Sequence, residues 1–220
     1  MRIDFHTHSE FSRDCGTSLA DVLAACQRAG IDCLCLTDHN RLVAPRLWPS
    51  AAPVRLIPGE EIMTTAGEII GLFLRQEIPP YLSPQETVRR IRAQGGLVSL
   101  PHPFDRLRRR SALVPAARAA IMADVDIVEV FNSRVTFPGD NAQALRLAEA
   151  TGKLHGAGSD AHTAGEIGNA YVEMPAFTDQ DDFLACLALG WVVGRLASPL
   201  VHLHTVWQKL RKRWRRTKDQ

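Results

Sequence analysis

Short apolar runs alternate along the chain with longer stretches in which apolar residues recur every three or four positions. Residues 3–8 read as a strand. Residues 18–29 read as a helix: Ser18 and Asp21 form a capping-box-like pair, Leu19, Val22, Leu23 and Cys26 share one face, and Gly30 ends it. Residues 31–37, 54–57 and 68–74 read as three more strands. Ser83-Pro84-Gln85-Glu86 opens a helix with an N-cap, a proline at its first position and a glutamate at its third, and Gly95-Gly96 stops it. Strands at 97–100, at 126–131 and near Leu154, with helices around 112–122, 140–150 and 181–189, complete the pattern. Repeated strand-then-helix units predict a parallel sheet. With about seven strands, the expected architecture is a closed or nearly closed barrel, and the alternative is an open doubly wound sheet.

Composition fits that picture. Hydrophobic residues make up 45% and charged residues 23%, which excludes a disordered, collagen-like or disulfide-scaffold chain. The longest apolar stretch, residues 183–194, is shorter than the roughly 18 residues a membrane span needs. The start, Met1-Arg2-Ile3-Asp4, shows no signal-peptide pattern. The five cysteines (15, 26, 33, 35 and 186) include no C-x-x-C, and three lie in apolar runs, so structural disulfides are not expected and a reducing cytoplasm is.

Charge divides the chain. The net charge is +2, but residues 209–220 alone carry +6, leaving −4 on the other 208. We therefore expect a barrel over residues 1–200 and a basic amphipathic tail over 201–220. Trp207, Leu210 and Trp214 fall at i, i+3, i+7, one narrow helical stripe. Such a tail suits an anionic membrane surface or nucleic-acid phosphates. The alternative is a solvated terminal helix with Trp207 and Leu210 packed on the body. No obligate protein partner is inferred.

The position of the polar residues carries the chemistry. The first strand ends in His6-Thr7-His8 and the second in Asp38-His39. The strand at 54–57 runs into Gly59-Glu60-Glu61, that at 97–100 into Pro101-His102-Pro103, and that near 154 into Gly158-Ser159-Asp160-Ala161-His162. In parallel α/β folds, sites assemble at the carboxyl ends of strands, so these groups can meet on one rim. His6 and His8, two apart on a strand, face the same way, and Asp160 and His162 repeat the spacing. Imidazoles and carboxylates are the usual ligands of Zn, Mn or Fe. Four or five histidines with three or four carboxylates exceed the needs of one ion, so the expected site holds at least two. His155, His202 and His204 fit no strand end and receive no site role.

This ordered set of motifs, His6-Thr7-His8, Thr37-Asp38-His39, Gly59-Glu60-Glu61-Ile62, Pro101-His102-Pro103 and Gly158-Ser159-Asp160-Ala161-His162, resembles the PHP (polymerase and histidinol phosphatase) family. It spans residues 6–162, about 70% of the chain. The resemblance implies a single-domain α/β fold, a distorted (β/α)7 TIM-like barrel. It implies two or three divalent ions (Mn, Fe or Zn) at the rim and hydrolysis of phosphate esters. Carried over by position, one metal would take His6, His8, Glu61 and Asp160. Glu61 would bridge to a second, held also by His102, and a third would use His39 and His162 with Asp14. Glu61 rather than Glu60 occupies the Gly-x-Glu-Ile slot. Asp38 would orient an imidazole or relay a proton. Two positions depart from the pattern. Glu68 stands where many members carry a histidine, and its extra charge favours harder ions such as Mn or Fe. Some members place a histidine at the position of Asp14.

The implied activity is a metal-dependent phosphoesterase that hydrolyses a phosphate mono- or diester of a small or nucleotide-like substrate through a metal-bridging hydroxide. Phosphate also needs cationic anchors. Arg13, Arg106, Arg108, Arg109, Arg110 and Arg134 lie beside motifs, and Arg106 and Arg134, which follow strand ends, are the preferred candidates. With 22 arginines in the chain, single arginines weigh little. Two other functions compete: an amidohydrolase-type metal hydrolase, and a non-catalytic metal-stabilised module that binds nucleic acid. The first often needs a bridging carbamylated lysine. Lys153, the only lysine before residue 209, precedes its strand instead of following it.

Overall fold

The structure, a computed structural model, describes residues 1–43 and 45–218. The elements follow in the order β1 (Arg2–Thr7), α1 (Leu19–Ala29), β2 (Cys33–Leu36), β3 (Arg55–Thr64), β4 (Gly67–Leu72), α2 (Pro84–Ala93), β5 (Leu97–Leu100), α3 (Pro115–Ile121), β6 (Ile127–Asn132), α4 (Pro138–Thr151), β7 (Leu154–Gly158), β8 (Ala170–Glu173), α5 (Gln180–Leu187), β9 (Trp191–Gly194) and α6 (Val201–Lys218). The caps read from the sequence are present: Ser18 and Ser83 accept from the backbone N–H groups of Asp21 and Glu86, and Gly30 closes α1 at φ 67°.

Among the described residues the strands form one sheet in the order β7-β6-β5-β4-β3-β2-β1-β8-β9. It curls until the chain after β7 meets β1, where Asp160 N–H donates to the His6 carbonyl (2.7 Å) and His8 N–H to that of Ala161 (3.0 Å). The result is the expected nearly closed α/β barrel. Ile3, Phe5, Cys33, Cys35, Ile57, Ile70 and Ile127 are buried in its core, and Phe183 of α5 packs there as well. The five cysteines are buried free thiols.

The sheet is mixed, which corrects the all-parallel expectation. β1–β3 and β5–β7 are two parallel sets, and β4 runs against both neighbours. Only Thr65-Ala66 joins β3 to β4, with the Thr64 hydroxyl donating to the Gly67 carbonyl (2.6 Å). Gly67 has φ 124°, and a Cβ there would stand 2.5 Å from the Leu113 Cα, so the turn accepts only glycine. β8 and β9 were not read from the sequence. They extend the sheet beyond β1 in antiparallel fashion, and the apolar run at 183–194 divides between α5 and β9.

Helix α6 lies across the barrel rim. Lys212 Nζ donates to the carbonyls of Glu10 and Ser12 (2.6 Å each), Arg134 Nη2 donates to Thr205 Oγ1 (2.5 Å), and Gln208 is buried. Trp207 and Leu210, which one reading of the sequence packs on the body, are 53% and 61% exposed. The polar face docks instead, because carbonyls and carboxylates of the rim face it. Residues 219 and 220 of the expected tail, and the His204 side chain, lie outside the described residues. No described helix is long and apolar enough to cross a membrane.

Candidate metal centre

The six barrel strands that are not reversed deliver their ends to one rim, and β4, being reversed, delivers its beginning. β3 is longer than expected, so Glu60 and Glu61 sit inside it and not after it. Residues 38–40 continue the pairing of β2: Glu61 N–H donates to the Asp38 carbonyl and Asn40 N–H to that of Glu61 (3.2 and 2.9 Å). Glu68, at the start of β4, pairs across the sheet with Met63.

Nine side chains singled out in the sequence converge there: His6, His8, Asp14, His39, Glu61, Glu68, His102, Asp160 and His162. Eight are buried and His39 nearly so. Glu61 is central. Its Oε2 lies 3.3 Å from His6 Nε2, 3.4 Å from His8 Nε2 and 3.0 Å from His39 Nδ1, and its Oε1 lies 3.0 Å from His102 Nε2. Asp160 Oδ1 lies 3.3 Å from His8 Nε2 and 3.8 Å from His6 Nε2. Glu68 reaches His39 Nδ1 (3.5 Å) and His102 Nε2 (3.8 Å). Asp14 reaches His162 Nε2 (3.4 Å) and His39 Nε2 (3.6 Å).

The imidazoles are held from behind. His6 Nδ1 lies 3.0 Å from Glu129 Oε1. His8 Nδ1 lies 3.1 Å from Ser12 Oγ, whose hydroxyl donates to Asp38 Oδ1 (2.5 Å). Because the serine proton is committed to Asp38, its oxygen accepts from His8 Nδ1–H, and His8 presents the Nε2 lone pair to the rim. Asp38 also accepts from Ser9 N–H and Ser9 Oγ–H (2.7 and 2.6 Å), so both of its oxygens face away from the cluster. His102 and Asp160 have left-handed backbones, φ 25° and 52°, uncommon for residues with a Cβ. His102 N–H is pinned by Glu129 Oε2 (2.7 Å) and Asp160 N–H by the His6 carbonyl.

The electrostatics follow from these pairings. Burial opposes charge on Glu61, but the nearby His6, His39 and His102 hold it well below the usual carboxylate range. Burial likewise opposes Asp160, and Arg108, His6 and His8 outweigh it. Asp14 is lowered by His39 and His162 against its own burial. His8 is held well below its ordinary value, first by burial and then by His162 and His39. His39, buried among Glu61, Asp14 and Glu68, is pushed up to about 10. Burial and the neighbouring Glu61 raise Glu68.

Divalent cations fit this donor set. Among the described residues, His6 Nε2, His8 Nε2, Asp14 Oδ1, Glu61 Oε2, Glu68 Oε2 and His102 Nδ1 are buried without a hydrogen-bond partner. Four triads offer donor atoms within 4.8 Å of one another: His8-His39-His162, His6-His102-Asp160, His6-His8-Glu61 and His39-Glu61-Glu68. Buried, mutually facing lone pairs are costly unless a cation lies between them.

The arginines divide. Arg134 is buried at the cleft, held by Thr205, the Val201 carbonyl and Glu166. Arg106 is 56% exposed, paired with Asp140 (2.7 Å) and lying over the Phe137 ring. Arg108 touches the cluster itself, with Nη1 on Asp160 Oδ2 and Nε on Asp105 Oδ2. A cleft of about 240 Å³ opens over Asp14, His39, Glu68 and His162 and is walled by Arg13, Arg108, Arg134, His202 and Lys209. It adjoins an outer cleft of about 710 Å³ that adds Tyr81, Arg106, Arg109 and Arg110.

Sequence reasoning missed Glu129, Ser12, the contact made by Arg108, and Lys209, whose Nζ lies 3.2 Å from Asp14 Oδ2. A lone glutamate inside the apolar run at 127–131 was the one signal available for Glu129. Lys153 donates to the Ala123 carbonyl (3.3 Å) at the opposite end of β7 from the cluster.

Residues 4–96 match the family model described as PHP domain, and residues 138–190 match one described as PHP-associated. A protein of Methanocaldococcus jannaschii, itself uncharacterized, is 40% identical over 79% of this chain and 70% of its own length. Among solved structures, PsfC from Pseudomonas syringae aligns with a TM-score of 0.69 at 17% identity, covering 94% of this chain and 97% of that one. A lesion-specific endonuclease from Pyrococcus furiosus aligns at 0.60 and 12% identity, over 90% of this chain and 59% of that one. At these identities the two structures are alike in fold.

Proposed function

The chain belongs to the PHP family, and on that premise we propose that it is a metal-dependent phosphoesterase acting on a phosphate mono- or diester of a small or nucleotide-like substrate. The observation that carries the reading is the meeting of five imidazoles and four carboxylates in one buried cluster beside an arginine-walled cleft.

Glu61 presents its two oxygens to different partners, Oε2 to His6, His8 and His39 and Oε1 to His102, which suits a carboxylate shared by two ions. On this reading His6, His8, Glu61 and Asp160 would hold one cation. Glu61, His102 and Glu68 would hold a second, and His39, His162 and Asp14 a third. The acidic share of the set favours Mn or Fe over Zn. When bound, such ions supply a water acidic enough to attack at neutral pH and neutralise charge on the phosphoryl oxygens.

The protein's own groups do the rest. Glu129 and the Ser12–Asp38 pair fix the ring orientations of His6 and His8. Asp38 acts through Ser12 as a positioning residue, not as a proton donor to substrate. The cationic wall attracts the ester and orients its phosphate, with Arg108 on Asp160, Arg13 lining the inner cleft, Arg106 on the outer wall, and Arg134 holding the cleft edge against α6. The endonuclease of the same fold is one phosphodiester-cleaving protein, and it supports including diesters among the substrates to be tried.

The experiment is metal analysis of the purified protein, followed by phosphate release from a panel of monoesters and dinucleotides with Mn, Fe and Zn. Bound divalent metal and hydrolysis that disappears in Glu61→Gln support the proposal. A protein that binds no divalent ion and cleaves no phosphate ester overturns it.

A further inference from the structure

Helix α6 carries two opposed faces. Thr205, Gln208, Lys209 and Lys212 meet the barrel rim. Leu203, Trp207, Leu210 and Trp214 lie on the other side and are 67%, 53%, 61% and 62% exposed. Their spacing of four, three and four residues keeps them in one stripe along the helix axis. Val206, 55% exposed, widens the stripe, and the Arg211 guanidinium lies over the Trp207 ring at its border. Of the seven lysines and arginines in residues 209–220, Lys209 and Lys212 are engaged at the rim, which leaves five basic residues in this segment against a mildly acidic remainder of the chain.

We propose that the outward face of α6 binds the surface of an anionic lipid bilayer, with Leu203, Trp207, Leu210 and Trp214 entering the headgroup–acyl boundary and the net positive charge of this end of the chain drawing it to the lipid. A helix with an apolar stripe, a basic remainder and no stretch long enough to span is the kind that lies in the interface plane. Tryptophan favours that boundary, and clustered lysine and arginine add electrostatic attraction to acidic headgroups. The centre of the face argues against the two other occupants. Leucines at 203 and 210 offer nothing to the phosphates of a nucleic acid. A second copy would bring an equally basic helix against this one, and the like charges would repel. Thr205, Lys209 and Lys212 make their rim contacts from the side of the helix opposite Leu203 and Leu210, so docking of the outward face leaves those contacts in place. One helix diameter, about 10–12 Å, then separates the bilayer surface from the mouth of the metal-centre cleft. The inference does not depend on the reaction assigned to that cleft.

The test is flotation of the full-length protein with vesicles of phosphatidylcholine alone and of phosphatidylcholine with phosphatidylglycerol. Tryptophan emission is recorded alongside. Binding to the anionic vesicles only, weakened by salt and accompanied by a blue shift, is the expected result. Leu203→Glu/Leu210→Glu lowers that binding by about tenfold or more, while its circular dichroism and Tm match the parent because both positions are exposed. The proposal fails if the parent stays in solution with both vesicle types, or if the folded double variant floats as well as the parent. It also fails if the variant dissolves a dimer or loses RNA binding while the parent shows no vesicle binding.

Discussion

Glu60 and Glu61 are adjacent in the chain and point to opposite sides of β3. Glu61 Oε2 lies 3.0 Å from His39 Nδ1 inside the cluster, while Glu60 Oε2 accepts from the Ile78 N–H at 2.9 Å on the other face. The strand period of two makes one glutamate a candidate ligand and its neighbour a buried structural carboxyl. Replacing each in turn separates the roles. Glu61→Gln removes the shared carboxylate and is expected to lower bound metal and phosphate-ester turnover by about a hundredfold. Glu60→Gln should retain both, as read by metal content after gel filtration and by initial rates.

Glu60 also gives the fold a pH dependence. Burial, with Glu77 adding repulsion, pushes its carboxyl from 4.5 to about 8. The folded state therefore favours the protonated acid, and its contribution to stability is fully present below pH 4.5 and lost as pH rises through about 8. Between those values the loss is about 1.4 kcal/mol per pH unit. Urea unfolding from pH 5 to 9 should show a decline that Glu60→Gln flattens. An unchanged slope in the variant would mean that the carboxyl is not the titrating group.

Glu129 binds no substrate in the proposed scheme, yet it fixes two of the candidate ligands. One oxygen meets His6 Nδ1 (3.0 Å), and the other accepts from the His102 N–H (2.7 Å) and Asn132 Nδ2–H (3.0 Å). Glu129→Ala should weaken metal affinity by about 10–100-fold, measured by competition with a chelator, and Glu129→Gln should weaken it less. Affinity within about twofold of the parent in the alanine variant would remove Glu129 from the design of the site.

Gly158 lies where β7 closes on β1. A Cβ there would collide with the His6 side chain and stand 2.6 Å from Glu129 Oε1. Gly158→Ala should cost about 1–3 kcal/mol and several degrees of Tm, with loss of bound metal. Gly139→Ala, which would meet nothing within 4 Å, should leave the melting curve unchanged.

The convergence of the candidate ligands was legible where it depended only on strand period and strand ends. His6 and His8 both reach Glu61, even though β1 ends at Thr7 and its pairing with β2 shifts register between Asp4 and Thr7, and Asp38-His39, His102 and Asp160-His162 follow segments that do form strands. What the sequence hid depends on distant parts of the chain. The Thr65-Ala66 turn has none of the Asn-Gly or Asp-Gly chemistry that marks a tight hairpin, so the reversal of β4 went unread. Glu129 sits at a register shift between β6 and β7, where simple alternation fails. The stripe on α6 was visible, but its direction was not. The helix turns its polar face inward because the Glu10 and Ser12 carbonyls and Asp14 wait on the rim, and these are far away in sequence.

The seam between β1 and the segment after β7 sets an order of events. Ser159 N–H donates to Asp4 Oδ1 across 155 positions, and His8 reaches Ala161 over a similar span. The first imidazoles leave the ribosome early, but Asp160 and His162, which complete their surroundings, arrive only after most of the polypeptide has been made. A nascent chain halted midway presents a half-ring of lone pairs with little to select among passing ions. In the proposed scheme the full donor set exists only after the barrel has closed across that sequence gap, a long-range contact whose loop-closure cost slows its formation.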